Sequence, residues 1–437
     1  MTHRNSKTAA RQIFRETLAA IDIPAAIARW VQGSELLSGG SSPAGQFREI
    51  VAIAYGKASV AMARGFQAAV GGRTPVRGTL VRPQAAELGA PLPGWEVFVG
   101  GHPIPTAESF AAGRTILECL RSCDEKSLVV FLISGGGSSM VEAPLDAGVS
   151  VEEFQALHAA LVRCGAPIEE INVVRKHLSA TKGGRLALAA PRARKVTLAV
   201  SDVPGGYESA LASGPTIPDP TTVADAYRLV EQYGLLNRLP SAIREIFAQQ
   251  RLQETPKEGH GAFANAEFEV LLGEHDLVHR SHHCCEAEGI FCLADDQTDG
   301  WPLEKAADEL LGQLEAMQRD YPGKRVAILS GGELSCPVIG DGVGGRNSAF
   351  VLACVPKIAG KKITVLSAGT DGIDGNSPAA GAVADGETLA RAQASGIDWK
   401  RYMERSDAYN FFDKLGDAIV TGPTGNNLRD LRILISG

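Results

Sequence analysis

Seven short aliphatic runs in this chain stop at glycine, serine or aspartate and give way to Ala/Leu-rich helical patterning. They are "IVAIAYGKAS", "WEVFVGGHP", "VVFLISGGGSS", "VTLAVSDVPGG", "FEVLLGEH", "RVAILSGGELS" and "KITVLSAGTDGIDG". Strand, polar turn and helix in repetition admit few folds. The pattern predicts an α/β protein with mainly parallel or mixed sheets. Ligands of such sheets bind beyond the carboxyl ends of the strands, which is where these glycines fall.

At 437 residues the chain is too long for one ordinary core, and two domains are expected. The stretch "LPSAIREIFAQQRLQETPKEGHGAFANAE" reads as a helix followed by a hydrophilic connector rich in Pro, Gly and Glu. This places the boundary near residue 240, with a Rossmann-like α/β domain over 1–240 and a second α/β domain over 241–437. Ile13, Phe14, Thr17, Leu18 and Ile21 recur at helical spacing before Pro24. They predict an amphipathic helix within 1–22, able to dock on the other domain, in preference to a transit peptide.

The net charge of -7 and the absence of a long Lys/Arg run argue against a nucleic-acid partner. No stretch approaches the roughly 20 apolar residues of a membrane span. The eight cysteines are scattered, with no CxxC pair, and a reduced, cytoplasmic setting is expected.

Glycine turns after strands bring backbone N–H groups close to phosphate oxygens. Two sharper phosphate-binding patterns are absent. A P-loop requires GxxxxGK[ST], and Val51 stands where the first glycine before Gly56-Lys57 should be. A dinucleotide fingerprint requires GxGxxG, and counting from Gly135 its last glycine is Met140.

Phosphoryl transfer needs cations for the phosphate oxygens, a carboxylate for Mg²⁺ or for the hydroxyl proton, and backbone donors. The chain offers each at a strand end. Lys57 in "AYGKAS" is expected at a helix N-terminus, where a cation is useful only if an anion joins it. Asp202 in "SDVPGG" and Asp371 and Asp374 in "GTDGIDG" follow other strands, as base, metal ligand or merely turn formers. Glu333 in "LSGGEL" and Arg346-Asn347 in "GVGGRNSAF" lie in further loops, with Arg346 suited to clamp a carboxylate or phosphate. "INVVRKHLSATKGGRLA" gathers Arg175, Lys176, His177, Lys182 and Arg185 around Gly183-Gly184. This is either a solvated charged helix or an anion pocket. The cluster "HDLVHRSHHCCEAEG" fits no recognised Cys/His zinc pattern, since adjacent residues on a helix point about 100° apart.

Taken together and in order, "GKAS", "GHPIPTAES", "FLISGGGSSM", "INVVRKHLSATKGGRLA", "SDVPGG" with "ASGPTIPDPTT", "LSGGE", "GVGGRN", "GTDGIDGNSPAAGA" and "TGPTGNNLRDL" resemble the glycerate 2-kinases whose C-terminal half is a MOFRL domain. The likeness covers nearly the whole chain. It implies ATP- and Mg²⁺-dependent phosphorylation of D-glycerate at C2, and two α/β domains with the active site in the cleft between them. It implies that Lys57, Arg346 and Asp371 face that cleft. Departures at Thr106, Gly206 and Ser348-Ala349 bear on the fine identity of the substrate more than on the reaction.

On this reading the expected catalytic residues are Lys57, Arg346, Asp371 and Asp202, with Asp202 and Asp371 also the metal candidates. Gly135, Gly136, Gly137, Ser138, Lys182 and Gly183 would hold ATP, and Arg175, Glu333 and Asn347 the substrate. A homodimer is left open. The rival is an NAD(P)H-dependent hydroxypyruvate reductase, which the missing fingerprint disfavours; a non-catalytic sugar-acid sensor would lack the Lys and Asp that are present.

Overall fold

Strands buried on both faces must be apolar throughout, and the runs "EIVAIAY" and "SLVVFLIS" satisfy this almost completely. They form the centre of one sheet in a computed structural model that describes residues 6–37, 47–71 and 74–437. The chain divides into two compact units, Ile23–Leu271 and a second made of the residues up to Asp22 with Leu272–Gly437.

The first unit holds an all-parallel six-stranded sheet. Its strands are β1 (Glu49–Tyr55), β2 (Val76–Pro83), β3 (Trp95–Gly100), β4 (Ser127–Ser134), β5 (Arg194–Val200) and β6 (Ala266–Leu272), in the order β3-β2-β1-β4-β5-β6. The chain begins at the middle, winds outward to β3, then returns to place β4 beside β1. Strand order therefore reverses between β1 and β4, and there the crevice for a ligand opens in a doubly wound sheet. Tyr55 pairs with Ile133, so these two strands end level with each other. Val51, Ile53 and Tyr55 pack with Val129, Phe131, Ile133, Ile116 and Leu186 in the core.

The division falls after Leu271, not near 240. The stretch expected to be a connector belongs to the first unit because it has its own apolar face: Ile243, Ile246 and Phe247 of helix Ser241–Ala248 are buried beside Phe154, Leu157 and Leu229. Beyond that helix, Gln253 O and Glu254 O accept from Arg185, and Asn265 O accepts from Lys195 N. Strand β6, expected in the second domain, is thus the edge strand next to β5.

The second unit holds a mixed sheet of β7 (Phe291–Asp295), β8 (Val326–Ser330), β9 (Ile363–Gly369), β10 (Gly381–Asp385), β11 (Ala418–Ile419) and β12 (Asp430–Ser436), in the order β11-β10-β9-β12-β8-β7. Only β7 and β8 run parallel, and β12 inserts antiparallel between β8 and β9. Helix Ser6–Ala20 docks on this unit, burying Ala9, Ala10, Ile13, Phe14 and Thr17. Lys7 meets Asp417 at 2.9 Å, and Arg11 donates to Ala418 O and Gly416 O. Residues 1–5 of the expected 1–22 helix lie outside the described residues. Among those described, no helix is long and apolar enough to cross a membrane.

Candidate active site

In the first unit the loops leaving β1 and β4 are stitched together. Lys57 N donates to Gly135 O at 2.9 Å, and Ala58 N donates to Ser134 Oγ at 2.9 Å. Gly56 has φ +112°, and a Cβ there would fall 2.4 Å from Ser134 O, so only glycine allows the approach. Lys57 precedes helix Ser59–Val70 by two residues and stands against Gly136: a Cβ on Gly136 would lie 3.3 Å from Lys57 Cγ and 3.5 Å from the His102 ring. Gly136 is itself left-handed at φ +77°. Gly137 is glycine for packing, because a Cβ would press the Tyr55 ring at 2.8 Å.

Around this turn runs a chain of short polar contacts. Ser138 Oγ lies 2.8 Å from Ser213 Oγ, Ser213 Oγ donates to Asn172 Oδ1 at 3.2 Å, and His102 Nδ1 lies 3.3 Å from Ser139 Oγ. Ala212 and Ser213 hold left-handed φ values of 48° and 63°. Such non-glycine backbone costs roughly 1–2 kcal/mol per residue and collects at functional sites. Val200 of β5 pairs with Ser134, which brings the chain continuing to half-buried Asp202 level with the glycine turn.

The basic run 175–185 is neither a solvated helix nor, as a whole, an anion pocket. Lys176 is buried against Asp219 at 3.1 Å, His177 Nε2 lies 3.2 Å from Glu254, and Lys182 lies 2.7 Å from Glu142 with both side chains fully buried. Burial works against ionised Glu142, but Lys182 and then His158 outweigh it and hold the carboxyl at about 2. Ser179 also donates to this carboxylate. Lys182, expected to hold ATP, is thus committed to a buried ion pair. Gly183 is likewise structural: its N–H donates to Ser213 O at 3.0 Å, and a Cβ would meet Thr255 at 2.8 Å.

Arg175 and Arg185 each keep a buried Nε with no hydrogen-bond partner among the described residues, but Arg185 also donates through Nη2 to Gln253 O and Glu254 O, which leaves Arg175 the less engaged of the two. Arg175 is 6% exposed. Burial lowers its pKa and Glu142 offsets this only in part. It shares a helix face with Asn172, one turn earlier, and Asn172 is bonded to the Ser213 loop. Burial also pushes the pKa of His158 down, against the pull of Glu142.

In the second unit the end of β8, the end of β9 and the start of β12 share one edge, with Asp430 opposite Gly369 and Arg432 opposite Ser330. Arg346 is held there by Asp430 at 2.5 Å and Glu333 at 2.7 Å. Burial opposes its charge, but Asp430 and Glu333 more than offset it and push the pKa up. Glu333, expected on the substrate, is therefore engaged as a partner that fixes Arg346. Asp371 is half-buried and accepts from Ile373 N at 3.0 Å. Asn347, also expected on the substrate, is buried, with Oδ1 taken by Ser367 at 2.5 Å and N–H donated to Asp374 at 2.9 Å.

Two further groups shape these edges: Asp374, read from sequence as part of a turn, and Arg429, to which sequence reasoning gave no role. Asp374 fills the N-terminus of helix Arg346–Ile358, accepting from the N–H groups of Gly345, Asn347 and Ser348 and from the Ser348 hydroxyl. Arg429, left-handed at φ 70°, forks onto Asp299 and reaches Glu274 at 2.5 Å. The motif "TGPTGNNLRDL" was the available signal, since a charged pair just before a buried strand is unusual. Among the described residues no three His, Cys, Asp or Glu side chains converge as a metal cage. Mg²⁺ at a nucleotide asks for less, since it keeps waters and phosphate oxygens and takes only one or two carboxylates. Half-buried Asp202 and Asp371 fit that demand.

Residues 9–248 match a family described as a domain of unknown function, DUF4147, and residues 326–430 match the MOFRL family. The chain is 36% identical to a D-glycerate 2-kinase from Thermotoga maritima, covering 88% of this chain and 90% of that one. A relative from Agrobacterium vitis, 37% identical over 89% of this chain and 87% of its own, carries a provisional hydroxypyruvate reductase name. A crystal structure of glycerate kinase from Thermotoga maritima superposes with a TM-score of 0.84 at 33% identity, covering 99% of each chain. With both sheets, the glycine turn at the strand-order reversal and these likenesses in agreement, the chain belongs to the glycerate 2-kinase family that joins a DUF4147 domain to a MOFRL domain.

Proposed function

We propose that this protein transfers the γ-phosphoryl group of ATP to the C2 hydroxyl of D-glycerate, giving 2-phosphoglycerate and ADP. The observation that carries the reading is Arg175, a buried guanidinium with an unpartnered Nε on the helix whose Asn172 is joined through Ser213 to Ser138 of the glycine turn. A buried cation short of an anion is costly, and a ligand carboxylate or phosphate would complete it. Glycerate supplies the carboxylate and ATP the phosphates.

In this scheme the Gly135–Ser138 turn takes ATP, and Lys57 neutralises oxygens of the transferring group. Arg175 and Asn172 orient the glycerate carboxylate. The C2 oxygen forms its bond to the γ-phosphorus as the bond to the β,γ-bridging oxygen breaks, and the hydroxyl proton passes to the carboxylate of Asp202. In the second unit, Arg346 is fixed by Asp430 and Glu333 in a pose suited to an anion. Mg²⁺ would be held by phosphate oxygens with Asp202, and when bound it offsets charge on the phosphates.

The strand order β3-β2-β1-β4-β5-β6 is also that of dinucleotide-binding sheets, so the fold alone permits the reductase reading. The turn after β1 argues against it. Its Gly56-Lys57 is closed by contacts to Ser134 and Gly135 and lacks the further glycines that let backbone approach a pyrophosphate.

Purified protein supplied with ATP, Mg²⁺ and D-glycerate should release ADP with formation of 2-phosphoglycerate. NADH or NADPH oxidation with hydroxypyruvate, and no ADP, would replace the kinase with the reductase.

A further inference from the structure

Helix Glu274–Ala287 in the second unit carries a stripe of exposed side chains at four-residue spacing, His275, His279 and His283. Its opposite face, Leu277, Ser281 and Cys285, is buried. The sequence pattern fits no Cys/His zinc motif, yet the side-chain geometry is specific. We infer that His279 and His283 form a two-imidazole site for a divalent transition cation of borderline softness, such as Ni²⁺ or Zn²⁺, with water completing its coordination.

Three observations support the site. The Nε2 atoms of His279 and His283 stand 3.2 Å apart. Two imidazole nitrogens each about 2.0–2.1 Å from a shared metal at that separation subtend an angle of about 100°, between square-planar and tetrahedral values. Glu286 Oε2 lies 3.3 Å from His283 Nδ1, at ion-pair distance. A carboxylate on that side of the ring favours the tautomer that keeps its proton on Nδ1 and leaves the Nε2 lone pair bare, as behind many metal-bound histidines. Finally, positions four apart on a helix lie on one face, so the backbone already brings the rings together and little ordering remains to be done on binding.

In the absence of a cation, the 3.2 Å contact is an N–H···N hydrogen bond between the rings. His275 stacks on His279 with centroids 6.2 Å apart and supports that ring's orientation. Mg²⁺, which prefers oxygen ligands and dehydrates reluctantly, does not compete. The site is independent of the glycine turn and of the kinase reading.

The test is titration of NiCl₂ into untagged full-length protein near neutral pH with excess Mg²⁺, followed by calorimetry. We expect one saturable equivalent. His279→Gln and His283→Gln should each weaken it about tenfold or more, and Glu286→Gln should weaken it less. His282→Gln should leave it within about twofold, because that side chain is not one of the paired ligands. All four positions are on the solvent side of the helix, so unchanged thermal unfolding of the nickel-free variants keeps the comparison valid. Absence of a saturable equivalent in the wild type, or its survival in the His279→Gln/His283→Gln double variant, overturns the assignment.

Discussion

Replacing Lys182 by Met separates a structural role from a nucleotide-binding one. The Lys182 ammonium is 2.7 Å from Glu142, and neither side chain is more than 1% exposed. Removing one member of such a pair leaves an uncompensated buried charge, a loss of about 3–5 kcal/mol. In the wild type, Lys182 and His158 hold the Glu142 carboxyl at about 2, below its ordinary value of 4.5. A depressed carboxyl contributes stability that is complete above its unfolded pKa and is lost as pH falls toward the folded one. Wild-type stability should therefore decline between pH 4.5 and about 2. In Lys182→Met, only His158 and Ser179 remain to oppose burial of the Glu142 carboxylate, so this acid-side decline should shrink and the variant should lose stability chiefly at neutral pH. Urea unfolding of the first unit, followed through Trp30 and Trp95, reads both effects. The double variant Glu142→Gln/Lys182→Met should recover most of the loss, since neutral replacements remove both desolvated charges. A Lys182→Met protein with wild-type stability and a raised KM for ATP would refute the reasoning and return Lys182 to the nucleotide.

Gly136→Ala should fold, lose about 1–2 kcal/mol from its left-handed backbone, and raise the KM for ATP by crowding Lys57; unchanged ATP kinetics would remove this turn from the nucleotide site. Asp374→Ala should cost about 1–2 kcal/mol in urea unfolding of the second unit, because the N-terminal N–H groups of helix Arg346–Ile358 lose their acceptor. Stability unchanged in that variant would mean the cap is redundant. Lys57→Ala should lower kcat by about 10²–10³ with little change in unfolding, and a near-normal rate would exclude it from the mechanism.

The α/β class was legible because strands buried on both faces must be aliphatic and their turns must be polar, and all seven quoted runs are strands. Strands with mixed chemistry were not found. β2 contains Arg77, Gly78 and Arg82, and β12 contains Arg432, whose charge is absorbed deep in the sheet by Ser330 Oγ and Gly332 O. The connector misreading has the same origin: the hydrophilic sequence after Ala248 supplies carbonyls to Arg185 and a hydroxyl to Asp219, contacts that no local pattern announces.

For the site, the residues that a strand end presents locally could be picked out. The strand-end glycines with Lys57 and Asp202 were proposed only on the rule that ligands lie beyond strand ends. Lys176, Lys182 and Asn347 were misjudged because their partners, Asp219, Glu142 and Ser367, are distant in sequence. The basic residues of this run look alike in sequence, and only their three-dimensional partners distinguish Arg175 from Lys176 and Lys182.

Arg175→Met is the most direct test of a site at the strand-order reversal. Steady-state kinetics and urea unfolding should be measured on the same preparation. The account predicts a KM for D-glycerate raised about tenfold or more, with unfolding stability equal to or above wild type, since a buried guanidinium lacking a partner at Nε opposes folding. A normal KM accompanied by the stability loss typical of a paired buried arginine would contradict it.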